Sequence, residues 1–381
     1  MIHSETRLQL SSNLVRRLSV AVLSTIALSL GSCATNAPST SSESPQSDAS
    51  PVATADELQV VTTFLPITQF TKAVAGDRVE VTQLLPTNVG PHDFQARPED
   101  VQRLTEADVL VQNGLEMEEF LEDLVANASN PDLQIIDSSE GIATIANEEV
   151  EGHSHGKEEG HDHDHAHDHA EREEQAEAGH HHHGEYNPHV WLDPKRAIQQ
   201  VENIRDGLIA ADPEGEAEYT ANAAAYIAQL QELDAEITST LQPYAGKTFV
   251  AFHDFAPYFA QSYGLEAEFL VDIPEGNPSP DDVKRVTDEV QASDLKAILT
   301  EPQAGESSFA PLANDLNVTV STFDPLETGG PEALEPEYYL TTMRQNVQSL
   351  VTAFGGSTQS FLPIWRSQPV AVVPQRVGVR F

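Results

Sequence analysis

The sequence predicts an α/β protein of two lobes, each a mainly parallel sheet flanked by helices, joined by one long rigid helix. Two stretches of the chain alternate short apolar strand segments with helical segments, which is typical of parallel sheets covered on both faces. Between them, apolar residues recur at steps of three and four over roughly thirty residues, a rod of about 45 Å. A helix of that length either joins two lobes or lies along the surface of one.

The first run of alternating elements begins at Leu58, where the apolar segment 58–64 is predicted to be a buried strand. Gly76 ends the helix that follows. The elements predicted here are strands over 58–64, 79–85, 109–112 and 133–136, and helices over 66–75, 98–107 and 116–126.

Two helices are predicted before the second run of alternating elements. The first covers 194–210. The second is the long helix, which Asp212 is predicted to cap, with Pro213 in its first turn. The long helix carries one apolar stripe, formed by Tyr219, Ala223, Tyr226, Leu230, Leu233, Ile237 and Leu241. The later elements predicted are strands over 248–252, 268–271, 296–300 and 319–323, and helices over 255–263, 279–292, 310–316 and 338–354.

The amino terminus is predicted to be an export signal. Arg16 and Arg17 precede the apolar run 18–30, and Leu30-Gly31-Ser32-Cys33 resembles the lipobox of bacterial lipoproteins. That resemblance implies cleavage before Cys33 and lipid attachment to its sulfur; a plain signal peptide is the alternative. Cys33 is the only cysteine, so a lipidated chain would have to bind zinc through histidines and carboxylates.

A histidine-rich insert interrupts the fold at about 147–186. Imidazole is a common ligand for zinc, copper and nickel, so the insert indicates metal capture; the alternative is a solvated spacer. Its histidines are His153, His155, His161, His163, His165, His167, His169, His180, His181, His182 and His183. The chain has 61 acidic against 20 basic residues, which argues against nucleic acid and anionic membrane surfaces as partners.

Three histidines lie downstream of the signal and outside the insert: His92, His189 and His253. His253 and Asp324 directly follow predicted strands, where ligands bind in open α/β sheets. Three imidazoles and one carboxylate would complete a tetrahedral zinc shell without water, which favours holding an ion over catalysis. We therefore take these four as the candidate ligands, although spacing alone does not show that they meet.

Residues 58–354 resemble the metal-binding proteins that serve ABC importers of zinc and manganese, and most of all the zinc-uptake binding protein. Five motifs in order carry the resemblance: Gly90-Pro91-His92-Asp93-Phe94 with Arg97-Pro98 and Asp100, Asn187-Pro188-His189-Val190-Trp191-Leu192-Asp193-Pro194, Phe252-His253-Asp254-Phe255, Thr300-Glu301-Pro302-Gln303 and Asp324-Pro325-Leu326. The resemblance implies two α/β lobes with the metal between them. His92 and His189 would come from the first lobe, and His253 and Asp324 from the second. Glu301 stands in one of these motifs, near the cleft. We expect it to be a carboxylate that supports the ligands, and direct ligation of the metal is the alternative.

The function implied is capture of Zn²⁺ as the transported ligand and its delivery to an ABC permease, by a monomeric lipoprotein outside the cytoplasmic membrane that touches the membrane only through its anchor. Manganese members tend to have Glu where this chain has His253, which favours zinc over Mn²⁺. A manganese-binding protein and a metal-buffering surface lipoprotein or adhesin are the alternatives. No zinc-hydrolase motif is recognised, so no enzyme activity is expected.

The predicted segments are a signal peptide over 1–32, a flexible tether over 33–56, a first lobe over 57–211, a linker helix over 212–243, a second lobe over 244–356 and an unassigned tail over 357–381.

Overall fold

The first lobe is built on a four-stranded, wholly parallel sheet. The computed structural model describes residues 58–147, 184–274, 278–293 and 295–356. The sheet has the order β2-β1-β3-β4. Its strands are β1 (Gln59–Thr62), β2 (Glu80–Gln83), β3 (Val109–Gln112) and β4 (Gln134–Asp137). The two central strands are the most buried, as expected for strands covered on both faces.

Four helices accompany this sheet: α1 (Leu65–Ala75), α2 (Pro98–Glu106), α3 (Leu121–Ala128) and α4 (Pro194–Ala211). The start of helix α3 differs from the sequence prediction, which placed it at residue 116. Gly114, Leu115 and Glu116 all have positive φ values, a conformation that interrupts a right-handed helix, so α3 starts only at Leu121.

The long helix α5 (Glu216–Leu241) packs on α1 and α4 of the first lobe and on α6 and α9 of the second. The seven residues of the predicted apolar stripe are the ones it buries. Its start differs from the prediction, because a 3₁₀ turn (Pro213–Gly215) precedes it. The carboxylate of Asp212 accepts hydrogen bonds from Arg78 and Tyr219 and does not cap the helix.

The second lobe contains two parallel strand pairs, β5 with β6 and β7 with β8, and β5 also lies beside β7. Its strands are β5 (Thr248–His253), β6 (Glu266–Val271), β7 (Ala297–Thr300) and β8 (Thr319–Thr322), and its helices are α6 (Pro257–Tyr263), α7 (Pro280–Ala292), α8 (Glu306–Leu316) and α9 (Pro336–Ala353). Every pairing among the strands β1 to β8 is parallel. The predicted fold class is therefore confirmed.

The lobes touch along a seam centred on Trp191. Its indole Nε1 donates a hydrogen bond to the carbonyl of Pro325 (2.8 Å), and Tyr339 Oη donates to the carbonyl of Trp191 (2.7 Å). Gln69 Nε2 adds a third bond, to the carbonyl of Ala333. Since all the described residues fall in one contact unit, the two lobes are held by packing and hydrogen bonds as well as by the linking helix.

Several sequence predictions concern segments outside the described residues. These are the signal peptide and Cys33, the histidines of the insert, and the tail over 357–381. Within the described part of the chain, no helix combines the length and the apolar character needed to span a membrane.

Candidate metal centre

His189 reaches the centre of the molecule from a short 3₁₀ turn, Val190–Leu192, that precedes α4. The ring is completely buried, and Asn187 fixes its orientation. Asn187 Nδ2 donates to the carbonyl and to Oδ2 of Asp254 in the second lobe, at 2.8 and 3.1 Å. The Oδ1 of Asn187 therefore faces His189 and accepts from its backbone N–H (3.1 Å) and from Nδ1 (3.0 Å). Because an amide oxygen can only accept, Nδ1 carries the proton and Nε2 keeps its lone pair for a metal.

His253 is the last residue of β5 and is also fully buried. Glu301, which directly follows β7, accepts through Oε1 from the backbone N–H of His253 (3.0 Å) and from its Nδ1 (2.6 Å). A carboxylate on Nδ1 directs Nε2 towards the metal, as in the carboxylate–histidine pairs of zinc proteins. Glu301 therefore contacts a candidate ligand directly, and its role as a supporting carboxylate stays a prediction.

His92 and Glu327 come from two loops that face each other across the cleft. His92 lies in a 3₁₀ turn, Pro91–Asp93, and its side chain is about one-tenth exposed. Glu327 follows β8 after a sharp turn in which Leu326 takes a left-handed backbone conformation (φ 66°). The side chain of Glu327 is buried, and its Oε1 lies 3.8 Å from Nε2 of His92.

These four side chains converge: one ligand atom from each of His92, His189, His253 and Glu327 lies within 4.8 Å of the others. Oε1 of Glu327 is 3.3 Å from Nε2 of His189 and 3.4 Å from Nε2 of His253. The Nε2 atoms of His189 and His253 are 3.3 Å apart. Ligand atoms bound to one tetrahedral zinc ion at 2.0–2.1 Å are about 3.3–3.4 Å from one another, so three of these separations already have the zinc value.

The sequence analysis expected Asp324, and the structure brings Glu327 to the fourth position instead. Oδ1 of Asp324 accepts from the backbone N–H of Leu326 (2.8 Å), and Asn346 holds the backbone of Asp324 at both N–H and carbonyl. Asp324 thus shapes the turn that carries Glu327. Nothing in the sequence marked Glu327, because its position depends on a left-handed conformation that a leucine rarely adopts.

The electrostatics of the centre differ from one imidazole to the next. Burial lowers the pKa of His92 to about 3 and that of His189 to about 4, although the carboxylate of Glu327 opposes the shift. Burial would also lower the pKa of His253, but the adjacent carboxylates of Glu301 and Glu327 outweigh it and raise that pKa to about 10. Glu327 is buried too, yet the three imidazoles hold its pKa well below its usual value. Burial raises the pKa of Asp324 to about 6.

The buried cluster of three imidazoles and one carboxylate between two parallel α/β lobes could hold a metal ion. The chain belongs to the family described as ZnuA, zinc-uptake complex component A, periplasmic, whose model matches residues 60–353. This membership confirms the resemblance read from the five motifs.

Some of the relatives are named for zinc binding and others for manganese binding. The zinc-binding protein AdcA of Streptococcus pyogenes is 32% identical over 309 residues, which cover 81% of this chain and 58% of AdcA. This chain therefore spans little more than half the length of that relative. The manganese-binding lipoprotein MntA of Halalkalibacterium halodurans is 30% identical over 300 residues, covering 77% of this chain and 88% of MntA. The crystal structure of the Zn(II)-bound ZnuA-like domain of Streptococcus pneumoniae AdcA is similar at 27% identity and a TM-score of 0.61, covering 78% of this chain and 99% of that one.

Proposed function

We propose that this protein captures one zinc ion between its lobes and passes it to a membrane permease as the binding component of an ABC importer. The observation that carries the proposal is the convergence of three imidazoles and one carboxylate, whose ligand atoms lie within 4.8 Å of one another, with three of the separations at the value for tetrahedral zinc. His92 and His189 come from the first lobe, and His253 and Glu327 from the second. An ion at this point would therefore tie the lobes together.

The ligand chemistry supports cargo binding rather than catalysis. Four protein ligands fill a tetrahedral shell, whereas catalytic zinc sites keep one position for water or substrate. The relatives and the family are also named for metal binding and uptake rather than for an enzyme activity.

Manganese is the alternative cargo, and the similarity to MntA is the observation that favours it. Three imidazoles favour zinc, since manganese prefers a larger share of carboxylate, carbonyl or water oxygens. Glu327 contributes one charged oxygen to the four atoms that converge, so we assign zinc.

The remaining parts of the proposal follow the family and the leader sequence. We propose that the protein works outside the cytoplasmic membrane as a monomer anchored through a lipid on Cys33, and that its insert captures metal at weaker, exchanging sites. The two ends of the insert meet in the structure: Ala146 and Tyr186 form an antiparallel bridge, and Asn147 Nδ2 donates to the carbonyl of Gly184 (2.7 Å). Replacing 148–183 with a two-glycine turn therefore leaves the fold's own connection in place.

The test is a zinc titration against a competing chromophoric chelator, with three proteins compared. The full chain should show one tight site and weaker ones. The variant lacking 148–183 should keep the tight site alone, and His253→Ala in the full chain should keep only the weak ones. Full tight binding by His253→Ala, with the fold verified by circular dichroism, would refute the assignment of the centre.

A further inference from the structure

Gln303 lies beside the metal centre without touching any of the imidazoles in the described contacts. It stands two residues after Glu301, in the loop between β7 and α8. Its side-chain Nε2 donates to Oε2 of Glu301 (2.8 Å) and to Oε2 of Glu327 (3.3 Å). The loop is itself held, because the N–H of Gly305 donates to the carbonyl of Glu301 and Thr300 Oγ1 donates to the carbonyl of Gly305.

These contacts close a ring of polar groups around one side of the centre. His253 Nδ1 meets Oε1 of Glu301, Oε2 of Glu301 meets Gln303, and Gln303 meets Oε2 of Glu327. Oε1 of Glu327 then returns to Nε2 of His253 at 3.4 Å. A primary amide is suited to this position, because it offers two N–H donors and adds no charge between two buried carboxylates.

The ring gives the two oxygens of Glu327 different tasks. Oε1 faces the three imidazoles, and Oε2 faces the amide of Gln303. A carboxylate whose second oxygen is bound elsewhere offers one oxygen to the ion, and the shell closes at four ligands, as zinc prefers. If Oε2 were released, the same carboxylate could bind through both oxygens, giving the five-coordinate, more oxygen-rich shell that suits manganese better.

We propose that Gln303 is a specificity-determining residue that restricts Glu327 to one-oxygen coordination and so favours zinc over manganese. The inference rests on the proposed function, because it concerns the same centre. Gln303 acts through Glu327 rather than by contact with the ion. Gln303 is an exposed residue at the rim of the centre, so replacing it should leave the fold intact.

The test compares Gln303→Leu with the full wild-type chain, using Co²⁺ as a spectroscopic probe and Zn²⁺ and Mn²⁺ in competition. Tetrahedral Co²⁺ absorbs visible light much more strongly than five-coordinate Co²⁺, so the band reports geometry rather than stability. Cobalt is added at half an equivalent, so that the tight site fills before the weaker sites proposed for the insert. Gln303→Leu should weaken the band and lower the preference for zinc over manganese on the order of tenfold.

Gln102→Leu is the matched control, since Gln102 makes a similar amide-to-carboxylate bond, to Glu106, on the exposed surface of α2. It should change neither the band nor the preference. If Gln303→Leu keeps the full band and the wild-type preference, or weakens both metals equally with the band unchanged, the inference is overturned and the zinc site stands. If the wild-type chain itself gives no tetrahedral band, the proposed function fails as well.

Discussion

Zinc binding should displace one proton from the centre, and that proton should come from His253. In the metal-free protein the pKa of His253 is raised to about 10, so its imidazole is protonated at neutral pH. Nε2 of His253 lies 3.3 Å from Nε2 of His189 and 3.4 Å from Oε1 of Glu327. A proton on this Nε2 therefore lies between the atoms that would bind the metal ion. His92 and His189, with pKa values of about 3 and 4, are already neutral and release none.

The free-energy cost of removing this proton follows from the difference between the pKa of His253 and the pH of the solution. Removing a proton from a group of pKa 10 at pH 7 costs about 4 kcal/mol, at 1.36 kcal/mol per unit. Apparent zinc affinity should therefore rise about tenfold per pH unit from pH 6.5 towards 10. The stability of the metal-free fold should change in the opposite direction. The folded pKa of His253 lies above the unfolded one, so its contribution is complete below pH 6.5 and is lost as the pH rises through 10.

Isothermal titration calorimetry at pH 7.5, in buffers of different ionisation enthalpy, counts the protons released per zinc ion. We expect about one. Ordinary imidazoles of the insert, with a pKa near 6.5, would each add only about 0.1 at this pH. Glu301→Gln keeps an acceptor for Nδ1 but removes the negative charge, so the count should fall well below one. A count near zero for the wild-type chain, or an unchanged count in Glu301→Gln, would contradict the protonation scheme.

Three further outcomes test the centre and the seam. Loss of a residue that supports a metal ligand typically weakens metal binding ~10–100-fold. Glu327→Gln should weaken zinc binding by more than this, while Asp324→Asn should stay within that range. Equal losses of zinc affinity in a chelator competition would contradict Glu327 as the ligand. Asn187→Ala should weaken binding ~10–100-fold by releasing the ring of His189, and should speed zinc loss measured by stopped flow; an unchanged off-rate would show that the ring needs no such support. Trp191→Phe should lower the free energy of unfolding by ~1–3 kcal/mol in urea titrations, because a buried carbonyl of the other lobe loses its donor; a smaller loss would mean that water replaces the indole.

The local pattern of the sequence was enough to predict the elements and the class of fold. Alternating strands and helices predicted parallel sheets, and the apolar stripe of the long helix is the set of residues that α5 buries. The clearest failure was the start of α3, which was placed at residue 116. Helical periodicity continues through that stretch, but the left-handed conformations of Leu115 and Glu116 depend on tertiary packing, which no local propensity reports.

At the candidate metal centre, the sequence by itself indicated the kind of ligand, because the chain after its predicted signal has only three histidines outside the insert, and we propose that its one cysteine, Cys33, is lipidated. It also determined that His253 would stand at the end of a strand, where neighbouring elements meet. Only the tertiary structure decided which carboxylate joins them. Asp324 and Glu327 are three residues apart and chemically equivalent as ligands, and the choice depends on the direction in which a buried turn points each side chain. That direction is fixed by the left-handed backbone of Leu326, by Asn346 from α9 and by the bond that Trp191 of the first lobe donates to Pro325. Two of these contacts come from distant parts of the chain, and no local propensity reports the third.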